Sequence, residues 1–282
     1  MSVTGIELKR FFLFFGLGIF LTISAPGRAQ EKTQPSPPPA APVAGEKKPL
    51  TGDEIMQKVR DNQYSDTMET TIVMTLTDKN GISQTRRFRL QRRKEDVLIR
   101  FLEPADIKDT GYLILQDEKG KSLIYVYFPP PTDDYRQINV DEESGSSNQS
   151  FLGSDFDVTD FQIRDPEDAT NTYLRSETVA GIECHVVESV SKDPNYKYSK
   201  AISWVRPDYW LPIRIQFFDR QGQMVKDMKV RKFKSVSGKQ VASKSEMANL
   251  LNEHKTILEL ETVQFDVSFP DDNFTIRRLT KP

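Results

Sequence analysis

Three groups of residues in this chain carry side chains that could do chemistry. Cys184 and His185 are adjacent, which suggests a thiol-imidazole dyad. They fall in a strand-like stretch, however, and successive strand residues point to opposite faces, so the pair cannot share a proton directly. Cys184 is therefore expected to be a buried small hydrophobe. The only other imidazole, His254, falls in an expected helix from about Ser245 to His254. The second group, Asp155, Asp157 and Asp160, puts three carboxylates within six residues, a density that could bind Ca²⁺. The stretch lacks the regular ligand spacing and closing Glu of an EF-hand. Its acids, together with Ser154, are instead expected to form turns and cap nearby backbone amides. Gly153 would let the backbone turn sharply there, while Phe151, Phe156 and Phe161 fill the interior. No Gly-x-Ser-x-Gly elbow, phosphate-binding glycine loop or His-rich metal spacing occurs. The expectation is a non-enzymatic protein with no catalytic residue, metal or cofactor.

The third group is cationic and aromatic. Arg86, Arg87, Arg89, Arg92 and Arg93 form a basic hairpin arm. It reads either as a solvated sheet face balanced by nearby acids or as a surface that steers toward anionic headgroups or an acidic partner. Trp204, Tyr209 and Trp210 are amphipathic rings that would rim a cavity mouth, dock a membrane or pack on the sheet.

The elements that position these residues follow a leader. Lys9 and Arg10 precede an apolar run from Phe11 to Ile23 and the small-residue stretch Ser24 to Ala29. This is the layout of a secretory signal, and the run is shorter than the roughly 20 residues a bilayer-spanning helix needs. Cleavage is expected after Ala29, with Ala25 as second choice, and no cysteine lies nearby to receive a lipid anchor. Removing residues 1–29 leaves 36 basic and 40 acidic residues, with the two signs interspersed. That balance argues against nucleic acid as a partner and against a polybasic membrane tail. Residues 30–49, rich in Pro and poor in apolar side chains, read as a disordered linker, and the lone Cys184 excludes an internal disulfide. Residues 50–282 are then expected to form one domain.

Thr51-Gly52-Asp53-Glu54 matches a capping box and opens a short helix, about Asp53 to Asn62, with Ile55, Met56 and Val59 on one stripe. Beyond it the period is two. Met68, Ile72, Met74 and Leu76 alternate with polar residues, Asn80-Gly81 turns the chain, and the returning strand from Ser83 to Arg92 puts Phe88 and Leu90 on one face. Val97–Leu102, Tyr112–Gln116, Ser122–Phe128, Tyr173–Val179, Glu183–Val190, Ala201–Arg206, Ile213–Asp219, Met224–Phe233 and Ile257–Phe265 continue the pattern. About eleven strands joined by short turns imply one large antiparallel sheet, curled or closed.

Several strands are apolar on both sides. Leu123, Tyr125 and Tyr127 oppose Ile124, Val126 and Phe128; Val97, Ile99 and Phe101 share a strand with Leu98 and Leu102; Ile213, Ile215 and Phe217 share one with Phe218. Either a second layer covers the other face, or the sheet curves around an apolar ligand cavity.

Three stretches carry a family resemblance. They are Phe101-Leu102-Glu103-Pro104 leading through Gly111 to Tyr112-Leu113-Ile114-Leu115; Ser150-Phe151-Leu152-Gly153-Ser154-Asp155-Phe156 with Asp160-Phe161; and Trp204 with Leu211-Pro212-Ile213-Arg214 and Phe218-Asp219-Arg220-Gln221-Gly222. In that order the chain resembles the outer-membrane lipoprotein-sorting proteins, relatives of the LolA-like periplasmic carriers. The resemblance implies an α+β, predominantly antiparallel fold: a strongly curved, incomplete β-barrel whose apolar concave face is covered by helices and takes acyl chains. The central Gly-Ser-Asp-Phe segment and the greater length depart from the classical carrier. What the resemblance implies for function is a monomeric periplasmic carrier of a lipid or lipoprotein. It would meet an inner-membrane exporter, an outer-membrane acceptor and, transiently, a membrane. An adaptor of the same fold, bound to an exporter of the resistance-nodulation-division type, is the other reading. The expected cavity residues are Ile72, Met74, Leu76, Phe88, Leu90, Ile99, Phe101, Leu113, Tyr125, Tyr127, Phe151, Phe156, Trp204, Ile215 and Phe217.

Overall fold

The first helix is specified by its opening residues. Thr51 N donates to Glu54 Oε2 at 2.7 Å and Glu54 N donates to Thr51 Oγ1 at 3.2 Å, so each side chain satisfies a backbone donor the helix leaves orphaned. Helix α1 follows over Gly52–Gln63 and buries Ile55 and Val59. The computed structural model describes residues 49–63, 65–118, 122–138, 151–161, 165–194 and 196–281. The expected signal peptide, residues 30–48 of the expected linker, and Ser150 lie outside the described residues.

Thirteen strands follow: β1 Thr67–Thr77, β2 Ser83–Arg93, β3 Asp96–Glu103, β4 Gly111–Gln116, β5 Ser122–Phe128, β6 Asp134–Ile138, β7 Ala169–Val179, β8 Ile182–Ser191, β9 Lys200–Arg206, β10 Leu211–Phe218, β11 Met224–Val236, β12 Lys239–Asn249 and β13 His254–Phe265. A short helix, α2, spans Ile276–Thr280. All strands join one sheet in the order β6-β5-β4-β3-β2-β1-β13-β12-β11-β10-β9-β8-β7. It consists of two antiparallel meanders, β1 to β6 and β7 to β13, joined where β1 pairs with β13.

Two strands exceed the expected eleven. β6 is one. The other, β12, replaces the expected helix at Ser245 to His254, because Met247 pairs with both Met228 and Thr256. Glu246, Met247, Ala248 and Leu250 favour a helix in isolation, but the strands on either side offer a complete hydrogen-bond ladder, and tertiary pairing overrides propensity.

The sheet is open and strongly curved. At its N-terminal end α1 lies against β7, where Asp53 Oδ1 accepts from Asn171 Nδ2 at 3.0 Å. At its C-terminal end Gln63 O accepts from Arg92 Nη2 on β2 at 3.2 Å, and Arg60 pairs with Glu95 at 3.8 Å. Twelve residues span about 18 Å. Along the sheet, β7 and β2 are eight strand spacings apart, about 38 Å. One helix can touch both only as the chord of an arc. Gly52 permits the contact at the first end, since a Cβ there would lie 2.4 Å from Asn171 O.

The convex face is covered on one side by the C-terminus. Phe274 and Leu279 pack on Leu98, Leu113 and Tyr127, with Leu115, Tyr125, Phe269 and Ile276 around them. Arg100 ties α2 down by donating to Leu279 O at 2.5 Å and Arg278 O at 3.1 Å.

Candidate lipid-binding site

The concave face is identified by the helix that crosses it. Ile55 and Val59 of α1 pack on Val187 and Val205, and the strand registers carry that face across the sheet. Ser203 pairs with Ile215, Ile215 with Met228, Met228 with Met247, Ser245 with Leu258, Leu258 with Met74, and Ile72 with Phe88 and Leu260. Paired residues share a face.

Eleven of the fifteen expected cavity residues belong to this concave side. Ile72, Met74, Leu76, Phe88, Leu90, Ile99, Phe101 and Phe151 pack in or against one cluster. Phe156 contacts Phe161 with ring centroids 6.2 Å apart, and Ile215 and Phe217 line β10. The other four are on the convex side. Leu113, Tyr125 and Tyr127 lie under the C-terminal segment, and Trp204 packs with Cys184, Val186 and Ile213 beneath the Arg214 guanidinium, 5.0 Å from its ring. β4, β5 and β9 are apolar on both faces, so composition does not say which side is inner; the register does. Cys184 and His185 point to opposite faces, as strand alternation requires. Burial raises the Cys184 thiol pKa, while His185 stacks on Trp210 at 5.9 Å beside Tyr173.

One flank of the concave face is filled by residues 151–161. Phe151, fully buried, has Phe88, Phe101 and Tyr112 at 5.2 Å and Phe161 at 4.8 Å. Gly153, at φ 79°, reverses the chain after it. The carboxylates anchor this plug. Asp155 Oδ2 accepts from Thr256 Oγ1 at 2.7 Å, Thr256 Oγ1 accepts from Asp155 N at 2.9 Å, and Asp160 Oδ2 accepts from Asp157 N at 2.8 Å. Lys226 donates to Asp155 O at 2.6 Å and reaches Asp157 Oδ2 at 3.3 Å, while Lys197 also contacts Asp157. One carboxylate is shared by two ammoniums, all three side chains being largely buried. Burial, and then the neighbouring Lys226 charge, push the Lys197 pKa down to about 7. Arg86 donates to Leu152 O, and Tyr112 beside it is pushed up to about 12, chiefly by burial.

The expected arginine arm is divided between the two faces. Arg86 and Arg92 point inward to backbone carbonyls, whereas Arg87 pairs with Glu261 at 2.8 Å and Glu103 at 3.6 Å.

Between the plug and α1 the floor of the arc is apolar and incompletely covered. Ile215 and Phe217 of β10, Met228 and Val230 of β11, and Leu258 and Leu260 of β13 are all half-buried on the concave face, with Met247 buried among them. The strip crosses three strand spacings, about 14 Å. Met228, Val230, Leu258 and Leu260 were not among the expected cavity residues. The alternation in Met224–Phe233 and Ile257–Phe265 marks both strands, but only the registers place these four side chains on the same face as Ile215.

A family model described as an uncharacterized protein matches residues 93–281. The chain belongs to that family. Its fold is like that of three solved structures. A DUF1329 family protein from Desulfovibrio piger superposes with a TM-score of 0.74 at 23% identity, covering 81% of this chain and 97% of that one. A putative outer membrane lipoprotein-sorting protein domain from Vibrio parahaemolyticus gives 0.74 at 24%, covering 82% and 98%. A LolA superfamily protein from Nitrosomonas europaea gives 0.67 at 17%, covering 82% and 100%. No curated protein matches the sequence. The curvature of that sheet is what brings the half-buried strip between the plug and α1.

Proposed function

We propose that this protein is a non-enzymatic periplasmic carrier that lays the acyl chains of a lipid or lipoprotein on the strip formed by Ile215, Met228, Val230, Leu258 and Leu260 and carries them toward the outer membrane. The observation that carries the reading is the strip itself: adjacent apolar side chains on the concave face of a sheet, left half-buried between α1 and the plug. Each methylene moved onto such a surface contributes about 0.8 kcal/mol, so binding needs no catalysis, and delivery follows from a higher affinity at the acceptor. The similarity to the Vibrio protein, a putative lipoprotein-sorting domain, supports the same class of cargo. The periplasmic compartment rests on the expected signal peptide.

Met228→Glu tests it, because Met228 lies mid-strip and is half-buried, so the variant should fold. Met74 and Ile72, by contrast, are buried under the plug, where a charge would unfold the sheet. Wild-type protein isolated from a Gram-negative envelope should carry acylated species by native mass spectrometry and bind a fluorescent fatty-acid probe; Met228→Glu should lose at least tenfold in probe affinity. Wild-type protein free of lipid and inert to the probe would refute the carrier and favour an exporter-bound adaptor. Equal binding by the folded variant would remove the strip from the site.

A further inference from the structure

The β11-β12 hairpin separates from the sheet at its lower half. β10 pairs with β11 only as far as Lys229, and β13 pairs with β12 only from Lys244. Beyond those points the two strands pair with each other alone, down to Val236 and Lys239. The arm so formed, residues 229–244, has six basic side chains, Lys229, Arg231, Lys232, Lys234, Lys239 and Lys244, and no acidic one.

The acids at its base are already engaged. Asp227 is held by Arg214 at 2.9 Å as well as by Lys229 at 3.0 Å, Glu246 by Arg231 at 2.8 Å, and Glu259 by Lys244 at 2.9 Å. Lys232 is exposed and adds to the charge that lowers the Glu259 pKa, after Lys244, without forming an ion pair among the described residues, and Lys234 donates to Leu260 O at 3.0 Å. Lys232 also pairs directly with Lys244 across the hairpin, a like-charge juxtaposition that weakens a ladder. The arm keeps side-chain contacts with the sheet, through Phe233 on the Cys184 cluster and Lys239 over the Phe265 ring at 5.4 Å. Beyond Lys229 and Lys244, however, it has no backbone partner outside the hairpin, and a strand pair loaded with one sign of charge is well arranged to meet an opposite charge.

We propose that this arm docks the protein on an anionic lipid bilayer surface. Charge complementarity favours a bilayer over a protein partner: the arm is narrow and its exposed side chains are polar or basic while Phe233 is turned onto the Cys184 cluster, whereas a stable protein interface needs a broad surface of roughly 800 Å² a side with buried anchors. Basic clusters near anionic leaflets gain attraction with each added charge and little from shape. The arm continues the strands that carry Met228 and Val230, so docking sets the end of the acyl strip beside the bilayer. Docking of the arm does not depend on what the strip binds.

The test is co-sedimentation of the full chain with vesicles of phosphatidylglycerol and phosphatidylethanolamine, against vesicles of phosphatidylcholine alone. Binding to the anionic vesicles only, weakening as salt rises, is expected. Lys232→Gln combined with Lys234→Gln should lower the vesicle partition coefficient about thirtyfold, with fatty-acid probe binding unchanged and the protein folded at the assay temperature although the Lys234 bond to Leu260 O is lost. Equal partition of the double variant would overturn the proposal and leave the lysines as guards of an exposed strand edge. Equal binding to both vesicle types would also overturn it, as would retention on immobilised poly-glutamate without binding to either vesicle. If the double variant unfolds early, Arg231→Gln, at the exposed root of the arm, must still lower partition severalfold for the proposal to stand.

Discussion

Phe151→Ala measures how firmly the plug is built into the sheet. The ring is fully buried and has four aromatic neighbours with centroids 4.8 to 5.2 Å away. Truncating a buried Phe to Ala costs about 3–5 kcal/mol through lost transfer free energy and the cavity left behind. Aromatic pairs add roughly 0.5–1.5 kcal/mol each beyond buried area, which places Phe151 at the upper end. Phe156 is a matched comparison: it is buried to 5% exposure, but among the described residues its ring contact is a single distant one, to Phe161 at 6.2 Å. Phe156→Ala should therefore cost less, about 3 kcal/mol. Urea unfolding followed by tyrosine and tryptophan fluorescence reads both, with the slope of the transition checked for constancy. A loss below about 1 kcal/mol for Phe151→Ala, or the reverse ranking, would refute the packing described for residues 151–161. If the plug detaches alone, hydrogen exchange should rise at 151–161 and not in β2 or β3.

Two further predictions concern the anchors. Lys197 has its pKa lowered to about 7 in the folded protein from an ordinary 10.5, so between those values the unfolded chain binds more protons. Stability should then rise with pH from about 7 upward and lack this gain below 7, by roughly 1 kcal/mol between pH 7 and 8; the increment should vanish in Lys197→Met, and a wild-type stability that falls over that interval would contradict the assignment. Gly52→Ala places a methyl 2.4 Å from the Asn171 carbonyl and should cost about 1–3 kcal/mol, measurable as a lowered unfolding temperature, whereas an unchanged temperature would mean that α1 does not bear on β7.

How much could be read from the sequence depended on whether a segment's own pattern decided its partner. The capping box at Thr51 and Glu54, the Asn80-Gly81 hairpin, the opposed directions of Cys184 and His185, and Phe151 as an interior plug all follow from local chemistry, and each is found in the structure. Tyr125, Tyr127 and Leu113 could not be assigned a face locally, because the cover on their side comes from Phe274 and Leu279, more than a hundred residues away. β12 was hidden by its own composition, where Glu, Met, Ala and Leu favour a helix until β11 and β13 flank it. The strip had the same difficulty: Met228 and Leu258 look like ordinary alternating strand residues, and only the registers place them on one face, on either side of β12.

The order of the sheet has a consequence for how the chain acquires its shape. Every ladder except one joins strands that are neighbours in sequence; the exception, β1 with β13, links Met68 to Phe265. Hairpins zip in microseconds, whereas closing so long a loop must wait on a search that costs entropy before any contact repays it. Each meander has only local pairings to make, and the arc that holds Ile72 beside Leu260 exists only once the last strand has joined β1. A chain cut short before residue 254 would have two half-sheets and no groove between them, and proofreading of such fragments would need no test other than the presence of a free β1 edge.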